Sequence, residues 1–155
     1  MSFAAGQHLT ASLLNNALGV LAEDTQLTAG TTTSTSYVTA LTAGTTCGKG
    51  FVAPTSGIVC VLFYSKLRNS TTNVSLVSFR IGTGLTVDAG AEILATSDDR
   101  VIQHFGTADE AASAHHVHTG LTPGSAYNVV LRHRVLGATT GTFTSRKISV
   151  LAIPA

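Results

Sequence analysis

The sequence predicts an all-β protein, an eight-stranded antiparallel jelly-roll sandwich that follows a short N-terminal helix. Short runs rich in β-branched and aromatic residues succeed one another from residue 36 onward, separated by clusters of Gly, Pro, Asn and Ser. Charged residues make up 11% of the chain and hydrophobic residues 44%, so we expect some surface to be buried against other subunits. We therefore divide the 155 residues into an N-terminal attachment arm (1–24), a linker (25–35) and a jelly-roll domain (36–155).

The first predicted element is a helix over residues 10–22. Thr10 is a suitable N-cap residue, and apolar side chains then recur at the spacing of one helix face. A helix of this length that contains Gly19 is marginally stable alone, so we expect its apolar stripe to pack on its own domain or on another subunit. The residues predicted to make this attachment are Leu9, Leu13, Leu14, Leu18 and Leu21.

Residues 25–35 are rich in Thr, Ser and Gly and are predicted to be an extended linker. The eight predicted strands cover residues 36–46, 58–67, 74–82, 92–95, 101–105, 113–119, 127–136 and 141–153. The strand at 58–67 is apolar on both faces, which is expected of a strand buried deep in a sandwich. The strand at 141–153 has the same two-faced character, so we predict that it is central in its sheet.

The N-terminal segment carries the first resemblance to a known family. Residues 5–15, AGQHLTASLLN, resemble the G-x-x-L-T-A-x-x-L-N opening of tail-fibre and other surface proteins of tailed bacteriophages. In those proteins the motif begins a short helix that attaches the protein to the virion. The resemblance implies the same role here, with the major capsid protein or another virion protein as partner, although Ser12 stands where Ala or Asp is more usual.

The domain carries a second resemblance. Residues 50–59, GFVAPTSGIV, and the β-rich remainder resemble the jelly-roll modules of actinobacterial phages and prophages, similar in layout to tumour necrosis factor-like heads. That resemblance implies a homotrimer.

Residues 120–127, GLTPGSAY, are similar to the E–F corner of fibronectin type III domains, in which the hydroxyl of a tyrosine forms a hydrogen bond with the backbone a few residues upstream. Because the chain has no Trp, we interpret this corner, anchored by Tyr127, as shared local structure.

Composition argues against several classes of partner. The net charge is +1 and the basic residues are scattered, so we predict no nucleic-acid partner. No run approaches the roughly 20 apolar residues that span a bilayer, and no secretory signal is present, so we predict no membrane partner. Cys47 and Cys60 form no metal or redox motif, and the sequence does not decide whether a disulfide joins them.

The histidines at positions 115, 116 and 118 are the main candidate for site chemistry. On a strand, His116 and His118 share one face and His115 lies on the other. Such a pair can bind zinc or nickel if His104 or His133 comes near. The other interpretations are an exposed polar face and a pH-sensitive subunit contact. We predict no metal site and name His116 and His118 as candidate subunit contacts.

Arg132 and Arg134 share a strand face and are the remaining candidate subunit contacts. They form either a solvated face or a surface that pairs with acids such as Asp98 or Asp99 of a neighbouring subunit. We predict no catalytic residue and no cofactor, because the sequence has no G-x-S-x-G elbow and no calcium-loop pattern. The glycine-rich stretch at 44–50 has neither the spacing nor the final Ser or Thr of a phosphate loop.

The sequence therefore favours a non-enzymatic structural protein of a tailed bacteriophage. The arm is expected to dock on the virion, and the domain to form a homotrimeric knob that decorates the capsid or forms a short head fibre. A tail fibre or baseplate tip is the close alternative. A carbohydrate-binding module that recognises a host glycan comes from another functional class, because jelly rolls often bind sugars through exposed aromatic residues.

Overall fold

The computed structural model describes residues 19–154, which form ten strands and, within that range, no helix. The strands are β1 (Val20–Gln26), β2 (Gly30–Thr32), β3 (Gly48–Val52), β4 (Val59–Asn69), β5 (Val74–Thr83), β6 (Glu92–Leu94), β7 (Ile102–Phe105), β8 (Glu110–His118), β9 (Ala126–Val135) and β10 (Gly141–Ala152). All of their pairings are antiparallel. The prediction of an all-β, antiparallel protein is confirmed.

The strands form two sheets. The first sheet has the order β1-β10-β4-β8, and β2 pairs with the beginning of β10. The second sheet has the order β3-β9-β5-β6, and β7 also pairs with β5. The chain changes sheet six times, between β2 and β3, β3 and β4, β4 and β5, β7 and β8, β8 and β9, and β9 and β10. Two four-strand paths connected in this way have the strand order of a jelly roll.

The core lies between the sheets and follows from the alternation of side chains along each strand. Val129, Leu131 and Val135 of β9 point inward and are fully buried. Phe79 of β5 faces Phe63 of β4 across the two layers, with ring centroids 5.2 Å apart. Tilted aromatic pairs of this kind join sheets more firmly than burial of their area alone.

The predicted and observed strands agree from β4 onward, where all seven predicted strands are found within a few residues. β10 lies between β4 and the β1–β2 edge, so its predicted central place is confirmed. The predicted strand at 36–46 is wrong. Val38 bridges to β9 in the second sheet, whereas Thr42 bridges to β2 in the first sheet. This segment crosses between the layers and therefore cannot continue as a strand of either sheet.

The N-terminal predictions need a second correction. Residues 20–22, predicted as the end of the helix, begin β1, and the predicted linker contains the end of β1 and all of β2. β10 pairs with this segment. The carboxylate of Asp24 in β1 accepts a hydrogen bond at 2.8 Å from the backbone N of Gly48, which lies in β3 of the second sheet. The rest of the predicted helix lies outside the described residues.

The predicted count of eight strands is also wrong, since the described residues form ten. Besides β1 and β2, the sequence prediction missed β3, which contains Gly48 and Gly50. A Cβ atom at either position would lie 2.5 Å from a backbone carbonyl oxygen, of Val129 and Leu85 respectively. These glycines therefore mark a close approach of backbones within the fold rather than a turn.

Two ionisable side chains are fully buried. His133 lies edge-on to Phe143, with ring centroids 4.8 Å apart, and neither of its ring nitrogens has a hydrogen-bond partner within the described chain. Burial, aided by the nearby charge of Arg146, lowers the pKa of His133 to about 3. Arg146 donates to the carbonyl oxygens of Thr45 at 2.7 Å and Thr28 at 3.1 Å. The guanidinium thus holds two loops against the inner face of β10.

Two local contacts close the ends of the sandwich. The backbone N of Ala152 donates to the carbonyl oxygen of Gly19, which brings the start of β1 next to the end of β10. The predicted tyrosine corner is confirmed, because the backbone N of Thr122 donates to the hydroxyl of Tyr127 at 3.0 Å.

Candidate functional site

The outer faces of the two sheets differ in what covers them. The segment between β5 and β7 covers the second sheet: the hydroxyl of Ser78 donates to the carbonyl oxygens of Ser97 and Arg100. The side chain of Asn128 donates to the backbone carbonyls of Gly84 and Ala89 in the same segment and of Thr83 at the end of β5. No segment within residues 19–154 covers the first sheet in this way, and Leu62 and Val117 are 40% and 47% exposed on its outer face.

The uncovered residues form a continuous surface because their strands are in register. We call this surface the outer patch. Its three cross-strand rows are Val20–Leu151–Cys60–Val117, Glu23–Ser149–Leu62–His115 and Thr25–Lys147–Tyr64–Ser113. The first row is apolar across four strands, and Leu62 and Tyr64 extend the apolar character up β4. Contiguous exposed apolar surface of this kind marks an interaction site in soluble proteins.

A shallow groove runs over the middle of the outer patch. It has a volume of about 330 Å³ and is lined in part by Leu62, Tyr64, His115, Lys147 and Ser149. Its walls are the longer side chains of neighbouring strands, and its floor is the sheet itself. Such a groove can accept a protruding apolar side chain from another molecule.

Charges on the outer patch are paired with each other. The Nζ atom of Lys147 lies 3.0 Å from a carboxylate oxygen of Glu23, and Ser149 donates to the same carboxylate at 3.2 Å. The hydrogen bond from Lys147 holds the pKa of Glu23 below its usual value. The patch therefore presents one cation and one anion side by side at its rim and has little net charge to oppose association.

The predicted histidine contacts lie on the other face of β8. His116 and His118 pair with Val61 and Val59 and share their inward direction, whereas His115 lies on the outer patch. The ring of His116 lies 5.9 Å from that of Phe79 in the core. Partial burial and the charge of Arg100 lower the pKa values of His116 and His118.

The predicted arginine contacts have partners within their own chain. Arg132 is paired with Asp88, which also accepts from Arg80. Arg134 is paired with Asp98, and its guanidinium lies over the ring of Tyr37, 5.0 Å from the centroid. Asp98, one of the two acids that the subunit-contact alternative placed on a neighbour, is thus an intrachain partner. These pairs fix loops on the second sheet.

No group of three His, Cys, Asp or Glu side chains within the described residues could hold a metal ion. His104 instead pairs with Glu110, with Nδ1 2.6 Å from the carboxylate.

Cys47 and Cys60 are both free. Cys60 belongs to the strand that was predicted to be buried on both faces, but it lies half-buried on the outer patch, and Cys47 is the buried cysteine. Burial raises the pKa of the Cys47 thiol to about 12.

Of the predicted attachment residues, Leu9, Leu13, Leu14 and Leu18 lie outside the described residues. Leu21 belongs to β1 and packs partly buried against the core. Within residues 19–154, no helix is long and apolar enough to cross a bilayer.

Comparison with known proteins adds a distant similarity. No family model matches the sequence, and no curated protein is significantly similar to it. The solved structure of the Eiger TNF from S. frugiperda superposes with a TM-score of 0.46 and 7% sequence identity, covering 87% of this chain and 94% of that chain. The jelly-roll assignment above comes from the strand order, and the outer patch is described from this chain's own residues.

The sequence prediction missed the outer patch, although one signal for it was present. Residues 58–67 were predicted to be buried on both faces because both are apolar. The outer face of β4 is open instead, since Leu62 is 40% exposed and Cys60 and Tyr64 are half-buried. The sequence signal of this surface is therefore the strand that is apolar on both faces, because its second apolar face is exposed where no segment within the described residues covers the sheet.

Proposed function

We propose that the chain is a structural virion protein of a tailed bacteriophage, a β-knob that forms a homotrimer and is held on the particle by its N-terminal arm. The observation that carries this proposal is the uncovered apolar outer patch, in a chain whose second sheet is covered by its own loops. The phage assignment is supported by the arm motif in residues 5–15 and by the resemblance of the domain to phage jelly-roll modules. We place the knob on the capsid, as a decoration or head-fibre protein.

The outer face of the first sheet is large enough to hold subunits together. Four strands about 4.8 Å apart and about 35 Å long give a face of roughly 700 Å². A standard interface takes about 800 Å² from each partner. The apolar row and Leu62 would form its water-excluding centre, and the pair Lys147–Glu23 would lie at the rim, where charges set orientation more than affinity.

The proposal assigns no catalytic role to the groove on the outer patch. Ser149 donates its hydrogen bond to Glu23 and not to His115, and that carboxylate is already paired with Lys147, so the described groove holds no Ser–His pair of the kind that activates a nucleophile. The lining of the groove is suited to contact another subunit, since Leu62 is apolar and Tyr64 and Lys147 each combine an apolar stem with a polar tip.

The first experiment tests the outer patch by sedimentation. The wild-type chain should sediment as a trimer or as a multiple of three chains, and Leu62→Arg should weaken the threefold association at least about 100-fold, because it places an unpaired charge at the centre of the interface. Leu136→Arg is the matched control, since Leu136 is 39% exposed but follows β9 in the second sheet. A wild-type monomer at tens of micromolar, or equal association of both variants, would contradict the proposed interface.

The second experiment tests the arm and the virion location. Removing residues 1–18 leaves β1 intact, so the truncated chain should still form the trimer but should no longer decorate particles seen by electron microscopy. Density for the full-length knob on the capsid supports the head assignment. Density on the tail would favour the tail-fibre or baseplate alternative, and full occupancy by the truncated chain would contradict the role of the arm.

A glycan-binding role in host adsorption is the second candidate, and one observation favours it. Phe105, the last residue of β7, is 66% exposed, and exposed aromatic rings stack on sugar faces. A glycan array probed with the wild-type chain and with Phe105→Ala would test this role. Binding that the variant loses would support it, and an array without signal would remove it.

A further inference from the structure

The free edge of the first sheet is a second surface without a partner. β8 pairs with β4 along nine residues in one unbroken register, from Glu110 opposite Leu67 to His118 opposite Val59. It is the last strand of its sheet, and its other edge makes no backbone hydrogen bond to any residue in the described part of the chain. A row of unpaired N–H and C=O groups is therefore presented along the whole strand.

Apart from the charge of Glu110 at its start, β8 also lacks the features that protect the edges of natural sheets. Such edges are interrupted by Pro, Lys, bulges or short strands. The opposite edge of the same sheet follows this rule, because it is divided between β1 and β2 and has an irregularity between Val20 and Ala22. The sequence of β8, EAASAHHVH, contains neither Pro nor Lys, and its pairing with β4 has no bulge.

The strand is complementary to a second copy of itself. If two β8 strands lie antiparallel with Ala114 on the twofold axis, all nine residues are paired. Each large side chain then faces a small one, and the carboxylate faces an imidazole. The cross-strand pairs would be Glu110 with His118, Ala111 with Val117, Ala112 with His116, and Ser113 with His115.

We infer that two copies of this chain join edge to edge through β8 in this register. The occupant of the edge is a second copy because the strand offers steric and hydrogen-bond complementarity to its own reverse, with the imidazole of His118 opposite the carboxylate of Glu110. Glu110 is available for the contact, since its side chain is 60% exposed even though it pairs with His104. The contact joins two first sheets into one continuous sheet and is separate from the proposed contact through the outer patch.

Two measurements, the mass of the assembly and the protection of backbone amides, distinguish the twofold contact from the contact through the outer patch. The twofold contact doubles whatever mass the protein otherwise has, whereas the outer patch is proposed to produce a threefold assembly. It also protects alternate backbone amides of β8, because only every second residue of an edge strand directs its N–H outward.

Engineered disulfides test the register directly. In a Cys60→Ser background, Ser113→Cys combined with His115→Cys places the new thiols opposite each other across the axis, within reach of a disulfide. Ser113→Cys alone is the control, because its two copies would lie about 8 Å apart between Cα atoms, too far to bond. Under mild oxidation, the double variant should shift from 15.9 kDa to twice that mass on a non-reducing gel, and the control should not.

Hydrogen exchange of the wild-type chain gives a second, independent measurement. On going from dilute to concentrated protein, alternate amides of β8 should exchange at least about tenfold more slowly, while those of β1 should not respond in the same alternating pattern. Absence of the linked dimer, a ladder of products above the dimer, or uniform exchange along β8 would each overturn the inference. If the double variant does not fold, the exchange pattern of the wild-type chain decides.

Discussion

Replacing His133 with Leu should make the fold less sensitive to acid. The imidazole of His133 is fully buried without a hydrogen-bond partner in the described chain, and its pKa falls from 6.5 to about 3 on folding. Between these values the unfolded chain binds a proton that the folded chain does not bind. The contribution of His133 to stability is therefore greatest above pH 6.5 and is lost as the pH falls toward 3.

The size of the effect follows from that difference. The free energy of unfolding loses about 1.4 kcal/mol for each pH unit below 6.5, so His133 alone costs about 2.7 kcal/mol at pH 4.5 relative to pH 7.5. His133→Leu removes this term. We expect the variant to lose about 2.7 kcal/mol less than the wild-type chain between the two pH values, whatever its stability at pH 7.5.

Urea unfolding at pH 7.5 and 4.5, at one fixed protein concentration, measures this difference, because all other titrating groups are common to both chains. Phe143→Leu is the matched control, since it alters the core beside His133 and removes no titratable group. Its stability difference from the wild-type chain should be the same at both pH values. Equal acid losses for the wild-type chain and His133→Leu would refute the argument from burial.

Three further substitutions test how the fold is held together, each measured by urea unfolding. Arg146→Met should lower the free energy of unfolding by about 2–4 kcal/mol, because two loop carbonyls lose their donor; a loss below about 1 kcal/mol would mean that these loops do not depend on the guanidinium. Gly57→Ala should cost at least about 2 kcal/mol, since φ is +65° and the new Cβ would lie 2.4 Å from the carbonyl oxygen of Leu121; an unchanged midpoint would exclude this clash. Tyr127→Phe should cost about 1–2 kcal/mol, because the backbone N of Thr122 loses its acceptor, and a variant as stable as the wild-type chain would show that the corner is dispensable.

Strands with strict alternation could be predicted from the sequence because the pleat fixes side-chain direction. β9 follows this rule and β10 was predicted from its two apolar faces instead, and the predicted bounds of both are close to those observed. The segment at 36–46 misled the prediction because Tyr37 and Val38 have high β propensity. In the structure these two residues do not form a strand. Val38 forms a single β-bridge, to His133. The hydroxyl of Tyr37 donates to Asp98, and the guanidinium of Arg134 lies over the tyrosine ring.

The candidate site was less predictable for a related reason. The sequence correctly separated His115 from His116 and His118, because the two faces of a strand alternate. It could not show which face is turned toward the core, since that depends on the pairing of β8 with Val59 and Val61 of β4. Likewise, Asp98 reaches Arg134 because the loop that carries it returns over the second sheet. A local sequence pattern does not predict this contact.

The contact between Gly19 and Ala152 determines where extra sequence can be attached. A peptide fused directly before Gly19 or after Ala152 leaves from one corner, beside Val20 and the apolar row, and would crowd the face that we expect to associate. The turn between β9 and β10 stands at the other end of β10, about 40 Å away along the strand. Foreign epitopes inserted there would be carried at the far tip of the knob.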